Sequence, residues 1–209
     1  FPELLEGEAV ATNDPLAGGS HLPDVTLVTP VFLDSALPVF FVASRGHHAD
    51  IGGRTPGSMP PDSRSLEEEG VVLEPFRLLR GGVFDAEELA RRLGAGRFPA
   101  RCPDDNRADL EAMVAANRAG SRWLAEFVTE VGRERVEATT RQLQRAAGEK
   151  VAAEIAKLRD GEHRFEDRMD DGTPVCVTLR VRGDRMQVDF EGTGPPSPTN
   201  LNAPRAVVH

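Results

Sequence analysis

The chain has 209 residues, a net charge of −9 and 39% hydrophobic residues, a composition typical of a globular protein with one large domain or two small ones. The acidic balance, the lack of tyrosine and the single tryptophan argue against a nucleic-acid-binding surface. No apolar stretch approaches the roughly 20 residues that a membrane helix needs. Cys102 and Cys176 stand far apart, which favours the reducing cytoplasm over a disulfide scaffold.

Two apolar segments near the N-terminus predict neighbouring strands. Residues 25–33 and 37–44 are rich in β-branched and aromatic residues and apolar on both faces, as in strands buried on both sides of a sheet. Residues 34–36 between them have the chemistry of a turn. Pro30 and Pro38 favour strand ends or sheet edges, because proline cannot donate to the ladder.

Extended and helical patterns follow in the middle of the chain. Residues 71–79 predict a further extended segment. Asp85 and Glu88 have the spacing of a capping box, which predicts a short helix to about Leu93. Apolar residues then recur at intervals of three and four on both sides of Gly132. This period predicts two long amphipathic helices, which we expect to form an antiparallel pair.

The end of the chain returns to strands, so the whole pattern predicts an α+β protein. Hydrophobicity alternates in residues 163–192, and Gly183-Asp184 is a hairpin signal. We expect three regions: a β-rich region with the candidate site (1–84), a helical region (85–160) and a C-terminal β region (161–209). Because residue 1 is not methionine and neither end resembles a natural terminus, we also expect a piece of a longer chain.

Histidine and aspartate residues stand at both ends of the predicted hairpin. His21 and Asp24 precede the first strand, and His47, His48 and Asp50 follow the second. Two strands joined by a tight turn run antiparallel, so these groups meet at one end of the hairpin. Imidazole with carboxylate suits Zn, Mn or Fe, and the lack of thiolates argues against a purely structural zinc site. An open coordination position would allow the metal to polarise a carbonyl group or activate water.

The expected register brings one aspartate opposite one histidine. If the turn is centred between residues 35 and 36, paired residue numbers sum to 71, and Asp24 lies opposite His47. Opposed Cβ atoms are roughly 4.5–5.5 Å apart, a span that a metal bonded at ~2 Å to each ligand can bridge. A shift of one or two residues would exchange His47 for His48. The alternative is that the histidines only satisfy backbone groups in turns; the convergence of five such residues favours a metal.

Six long motifs cover nearly the whole chain. They are TNDPLAGGSHLPDVTLVTPVF, FFVASRGHHADIGGRTPGSMP, EEEGVVLEPFRLLRGGVFD, FPARCPDDNRADLEAMVAAN, DGEHRFEDRMDDGTP and VDFEGTGPPSPTNLNAP. Together they resemble the hydantoinase B/5-oxoprolinase family, and motifs of this length are specific. Members of that family are considerably longer than this chain, so the resemblance implies a fragment of a B-type module.

The resemblance implies a cytoplasmic enzyme module in a hetero-oligomer with a hydantoinase A-type, ATP-binding subunit or domain. Such pairs open a cyclic amide, a hydantoin or 5-oxoproline, at the expense of ATP. The resemblance implies that the partner uses the ATP and that this chain has no cofactor-binding residue of its own. The sequence agrees in one respect, since the lack of a P-loop motif excludes ATP binding by that route. We expect the isolated fragment to be inactive, and its catalytic base is unknown.

The resemblance also implies a ligand set for a divalent metal. Family members hold a metal through a His-x-x-Asp pair and a later histidine, which correspond to His21, Asp24 and His47. Three neighbouring positions match residues that orient the ligands or replace one of them, namely His48, Asp50 and Asp14.

Two alternatives remain beside the cyclic-amide hydrolase. Acetone and acetophenone carboxylases use the same two modules, so a carboxylase-like subunit would share the site and use bicarbonate. A truncated, non-catalytic assembly module is the other. The sequence departs from the family at Cys102, Met113 and Thr199, where asparagine, glutamine and glycine are more usual, and in a shorter hairpin tip.

Overall fold

The computed structural model describes residues 4–58 and 60–208, which belong to two units. One unit holds the described residues before Val128 and after Ser197, and the other comprises Val128–Ser197. Helices and antiparallel sheets are both present, which confirms the α+β class. The two units are groups of residues that contact one another, whereas the three predicted regions are runs of one type of secondary structure. The boundaries of the predicted regions therefore stay a prediction.

A five-stranded antiparallel sheet with the order β3-β2-β1-β4-β5 forms the centre of the first unit. Its strands are β1 (Ala9–Thr12), β2 (Asp24–Val31), β3 (Phe40–His47), β4 (Phe76–Arg80) and β5 (Val83–Phe84). The central strand β1 is buried throughout, as its small and apolar side chains allow. The predicted hairpin is therefore present as β2 and β3.

Two details of the predicted hairpin are wrong. The connection comprises residues 32–39 instead of a three-residue turn, and Asp34 adopts a φ of 46° within it. No residue of β3 is fully buried, because β3 is an edge strand. The predicted burial of this strand on both faces is therefore wrong. Pro30 is tolerated in β2 because β1 pairs only with residues 26–28 and requires no hydrogen-bond donor from Pro30.

The helices of the chain are α1 (Leu66–Glu69), α2 (Ala86–Leu93), α3 (Pro103–Val131), α4 (Arg133–Ile155) and α5 (Arg205–Val208). The predicted cap of α2 is confirmed, because the Asp85 carboxylate accepts a hydrogen bond from the backbone N–H of Glu88. The other half of the capping box is absent. The Glu88 carboxylate binds Arg91 and Arg92 on the next turn instead.

The two long predicted helices are confirmed as α3 and α4, and their expected antiparallel pairing stays a prediction. Gly132 alone separates them and has a φ of 90°. Val136 still donates its backbone N–H to the Gly132 carbonyl, so the second helix starts at once. Among the described residues, no helix is long and apolar enough to cross a membrane.

The second unit contains a three-stranded antiparallel sheet with the order β6-β7-β8. Its strands are β6 (Gly161–Arg168), β7 (Pro174–Arg182) and β8 (Arg185–Asp189). Gly183, with a φ of 59°, lies in the tight turn between β7 and β8, which confirms the predicted hairpin.

In the first unit, the predicted strand 71–79 is shorter in the structure, because the ladder begins only at Phe76.

A buried asparagine connects β1 with the segment before β4. The Asn13 side chain donates hydrogen bonds to the carbonyls of Leu22 and Val71 at 2.8 and 2.9 Å, and it accepts one from the Leu73 N–H at 2.6 Å. Asn13 is fully buried. All three backbone groups lie in irregular segments, so this one side chain replaces the ladder bonds that they lack.

We expect Asn13→Ala to lower the free energy of unfolding by about 2–4 kcal/mol, because three buried backbone groups lose their partner. Urea unfolding followed by circular dichroism measures the change. Asn202→Ala, the same truncation at an exposed side chain, is the control and should change stability by less than about 0.5 kcal/mol. Equal effects of both substitutions would contradict the proposed role of Asn13.

Candidate metal centre

The register of the hairpin places Asp24 directly opposite His47. Pairing runs without a shift from Val31 and Phe40 to Asp24 and His47, so the predicted sum of 71 is confirmed. The Asp24 Oδ1 atom lies 3.0 Å from His47 Nδ1. Asp24 begins β2 and His47 ends β3, so the two residues form the last pair of the ladder.

A bend in front of β2 adds the third residue. Asp24 donates its backbone N–H to the His21 carbonyl at 3.0 Å, and Pro23 lies within this turn. As a result, His21 Nδ1 lies 3.2 Å from Asp24 Oδ2. The imidazole rings of His21 and His47 face each other at 5.1 Å between centroids. His21, Asp24 and His47 therefore form one cluster, which we call the hairpin-end triad.

Two side chains hold the hairpin end in this register. Asn117 of α3 donates to the Leu27 carbonyl of β2 at 3.1 Å and to the Val42 carbonyl of β3 at 3.3 Å. Arg45 of β3 donates to Thr26 Oγ1 at 2.8 Å and to the Gly18 carbonyl at 3.1 Å. Arg45 thus links both strands to the loop that carries His21.

The loop in front of His21 is shaped by close backbone approaches. A Cβ atom on Gly19 would lie 2.4 Å from the Asn13 carbonyl oxygen, so only glycine fits there. Asp14 caps the 3-10 turn Pro15–Ala17 by accepting a hydrogen bond from the Leu16 N–H at 2.8 Å. Asp14 therefore shapes the loop, and its carboxylate is not part of the hairpin-end triad.

The donor set of the triad fits a divalent metal. Each of the three residues offers one ligand atom, and these atoms lie within 4.8 Å of one another. Two imidazoles and one carboxylate are the ligands of many Zn, Mn and Fe sites. The His47 side chain is 56% exposed, so an ion or a small molecule can reach the cluster.

The electrostatics of Asp24 also suit a cation. Burial by itself would raise the pKa of Asp24, but the His47 hydrogen bond, the His21 charge and the Ser20 hydrogen bond together lower it. The carboxylate is therefore ionised at neutral pH. Sequence reasoning missed Ser20, whose Oγ donates to Asp24 Oδ2 at 3.1 Å; its position beside the His-x-x-Asp pair was the available signal.

The rings of His21 and His47 make no hydrogen bond to the backbone of the surrounding turns within the described residues. Their hydrogen bonds within the described part of the chain go to side chains, Asp24 and Ser20, and not to backbone groups. This observation argues against the alternative in which both histidines only satisfy backbone atoms. It leaves their role as metal ligands a prediction.

His48 lies in a different environment from His47. It is 1% exposed, its Nδ1 lies 2.9 Å from Asn106 Nδ2, and Asp109 approaches at 3.7 Å. Asn106 Nδ2 also donates to the Asp50 carbonyl, which sets the amide orientation, so Nδ1 of His48 accepts and its Nε2 carries the proton. Burial lowers the pKa of His48 and keeps the ring neutral.

Asp50 organises the glycine-rich loop and does not join the triad. Its carboxylate accepts hydrogen bonds from the N–H groups of Gly52 and Gly57 and from both the backbone and the side chain of Arg101. Burial would raise the pKa of Asp50, but these hydrogen bonds lower it on balance. The structure thus gives Asp14 and Asp50 supporting positions near the loops, and their influence on a metal stays a prediction.

A cleft of about 720 Å³ opens beside the triad, and His21 and Ser20 form part of its wall. Its volume lies in the range of small-molecule sites. All residues of its wall belong to the first unit. A small ligand in this cleft would lie next to the triad.

Comparison with known proteins identifies relatives along the whole chain. The family described as Hydantoinase B/oxoprolinase matches residues 1–209. The protein 5-oxoprolinase 1 of Arabidopsis thaliana is 39% identical over 98% of this chain. The chain spans only 18% of the length of that relative.

Two solved structures share the fold. The ATP-dependent caprolactamase from Pseudomonas jessenii superimposes with a TM-score of 0.87 at 27% identity, covering 99% of this chain and 36% of its own. The nucleotide-free acetone carboxylase superimposes with a TM-score of 0.82, covering 97% of this chain and 28% of its own. At 18% identity, the likeness to the carboxylase shows the fold alone.

We expect the purified chain to bind about one divalent ion, because two imidazoles and one carboxylate converge at the hairpin end. Plasma mass spectrometry measures the metal content. His21→Ala and His47→Ala should each remove most of the metal, whereas His163→Ala, an exposed histidine of β6, should leave it unchanged. A metal content that survives both triad substitutions would exclude the site.

We expect Asp50→Asn to weaken the acid dependence of stability. Because the folded pKa of Asp50 lies below its ordinary value, its ionised form stabilises the fold above the unfolded pKa. That contribution is lost as the pH falls through the folded pKa. Urea unfolding measured from neutral to acidic pH should show a slope smaller by up to about one proton in the variant. Parallel profiles would contradict this role.

Proposed function

The chain belongs to the hydantoinase B/oxoprolinase family, and we propose that it is the metal-bearing part of an ATP-dependent enzyme that opens a cyclic amide. The observation that carries the proposal is the hairpin-end triad beside a cleft of ligand size. The names of the relatives support it, because 5-oxoproline and caprolactam are both cyclic amides.

The residues of the triad have distinct tasks in this proposal. Asp24 lies between the two imidazoles, and Ser20 donates to its carboxylate, so the three ligand groups are held together before any substrate arrives. A bound divalent metal supplies Lewis-acid chemistry, polarising an amide carbonyl or acidifying a water molecule. His21 places this chemistry at the wall of the cleft, where a ring carbonyl would lie.

The proposed reaction also requires a partner. We propose that a hydantoinase A-type subunit or domain binds ATP and activates the carbonyl group, because this chain has no P-loop sequence. Water then attacks the activated carbonyl carbon, the carbon–nitrogen bond breaks, the ring nitrogen leaves as an amine, and the phosphoryl group that came from ATP is released as phosphate. We place this hetero-oligomer in the cytoplasm, which agrees with two free cysteines.

A carboxylase-like subunit is the second candidate. The acetone carboxylase shares the fold of this chain, which is compatible with this candidate. In that case the same triad would work on an activated ketone, with bicarbonate in place of water. A module that serves only assembly is the third, since the chain spans less than a fifth of its Arabidopsis relative.

We expect ATP-dependent release of glutamate from 5-oxoproline when the chain acts with an A-type partner. His21→Ala and His47→Ala should each lower the rate at least about a hundredfold, because metal assistance contributes several kcal/mol to such barriers. The control His163→Ala should retain the rate. The chain without its partner should neither turn over ATP nor open the ring.

The remaining outcomes separate the candidates. Incorporation of labelled bicarbonate into a ketone would support the carboxylase, and full activity of both triad variants would leave only the assembly role. ATP turnover by the chain alone would contradict the division of labour between the two modules.

A further inference from the structure

Strand β6 is an open edge of the sheet in the second unit. The strand order is β6-β7-β8, so β6 pairs only with β7 among the described residues. Every residue of β6 is exposed, and α4 contacts β8 at the other edge of the sheet. An exposed edge strand presents a row of backbone groups with which another strand can pair.

The outward backbone groups of β6 belong to its even-numbered residues. Met169, directly after the strand, donates its N–H to the Thr173 carbonyl at 2.9 Å, in the same register as the β6–β7 ladder. Residues of an antiparallel strand alternate between bonding one neighbour and facing the other side. The odd-numbered residues of β6 therefore bond β7, and the backbone of Arg164 and Glu166 faces outward.

The charges of β6 are complementary to their own reverse order. One face of the strand alternates in sign along the sequence, with Glu162, Arg164, Glu166 and Arg168. If a second copy of β6 runs antiparallel with Phe165 opposite Phe165, paired residue numbers sum to 330. Each acidic residue then lies opposite a basic residue, and the pairs are Glu162 with Arg168, Arg164 with Glu166, and Asp167 with His163. Opposite charges in such pairs stabilise antiparallel strands.

The neighbouring registers are unfavourable. Symmetric pairing that keeps each face of the sheet continuous requires an even sum, because side chains alternate between the faces. A sum of 328 would place Arg164 opposite its own copy, and a sum of 332 would do the same for Glu166. Like charges that are directly opposed are destabilising. The charge pattern therefore specifies the register centred on Phe165.

Some of these charges already have weak partners within the chain. Glu166 lies 3.3 Å from Arg168, and Glu162 lies 2.9 Å from Arg180, in both cases at the surface. Exposed ion pairs of this kind contribute little and exchange readily. Arg164 makes no ion pair with any residue that the structure describes, and its side chain is exposed. A second chain can therefore supply its carboxylate.

The other face of the sheet is apolar and partly uncovered. Phe165 is 63% exposed and lies opposite Val177, and Val188, which is 46% exposed, lies opposite Leu179. These four side chains share one face because the ladder pairs them in register. Pairing of two β6 strands would continue this apolar face across the symmetry axis and cover each Phe165 ring with its copy.

We propose that the chain forms a symmetric dimer in which two copies of β6 pair antiparallel around Phe165. The two three-stranded sheets then form one sheet of six strands. Charges on an edge strand usually prevent association because they repel an incoming strand, but here a second copy brings the opposite charge to each position. The interface lies in the second unit and the triad in the first, so the inference is independent of the proposed function.

Sedimentation velocity of the whole chain tests the dimer. We expect a species of twice 22.6 kDa at about 100 μM protein, which dissociates on dilution because a contact along one strand is small. Arg164→Glu and Glu166→Arg each oppose like charges at two symmetric positions, and each should raise the dissociation constant at least about tenfold. Arg122→Glu reverses an exposed charge on α3 and is the control that should change nothing.

Mixing the two reversed variants gives the sharpest result. Position 164 of one chain then faces position 166 of the other with opposite charge, so a mixed dimer should form although neither variant dimerises alone. A folding defect in either variant could not produce this recovery.

Disulfide cross-linking tests the register. In a Cys102→Ser background, which removes the exposed thiol, Phe165→Cys should cross-link under mild oxidation, since opposed Cβ atoms are roughly 4.5–5.5 Å apart. Asp167→Cys lies on the same face but about 13 Å along the strands from its own copy, so it should not cross-link.

Four outcomes would overturn the proposal. They are a monomer at about 100 μM, a dimer that both charge reversals leave intact, a mixture of variants that stays monomeric, and equal cross-linking at positions 165 and 167. The first leaves the edge for a different chain, and the second assigns the dimer to another surface. The metal content of the same samples reports separately on the proposed function.

Discussion

The antiparallel register of β2 and β3 is the constraint on which the candidate metal centre depends. Successive side chains of a strand point to opposite faces, so a slip of one residue would move His47 away from Asp24. The buried side chains Val25 and Leu27 hold one face of β2 against the core. Asn117 of α3 donates hydrogen bonds to carbonyls of both strands, so it helps to fix their relative position.

The loops around the hairpin depend on polar side chains that are used entirely for structure. Asn13 holds the segments at Leu22 and Val71, Asp50 holds the glycine-rich loop, and Arg45 ties the loop at Gly18 to the strands. These bonds leave His21 as the residue that belongs both to the triad and to the cleft wall. Substrate recognition and metal chemistry are thus proposed to meet at one side chain.

Much of this arrangement could be predicted from local spacing. The hairpin register followed from the turn position alone, even though the connection proved longer than expected, because residues 32–39 are still centred between residues 35 and 36. The helix cap at Asp85 and the break between the long helices at Gly132 could also be predicted from neighbouring residues. The environment of His48 could not be predicted from local spacing, because only the packing of α3 brings Asn106 and Asp109 against that ring.

By itself, the sequence determined the α+β class, the paired strands and the meeting of Asp24 with His47, because each depends on residues a few positions from a turn or a cap. Only the tertiary structure decided which nearby acids and histidines stand apart from the triad. Asp14 and Asp50 bind backbone N–H groups, and that choice depends on how the loops close. The cleft was likewise invisible in the sequence, because its wall combines residues 15–21, 64–69 and 199–205, which lie far apart along the chain.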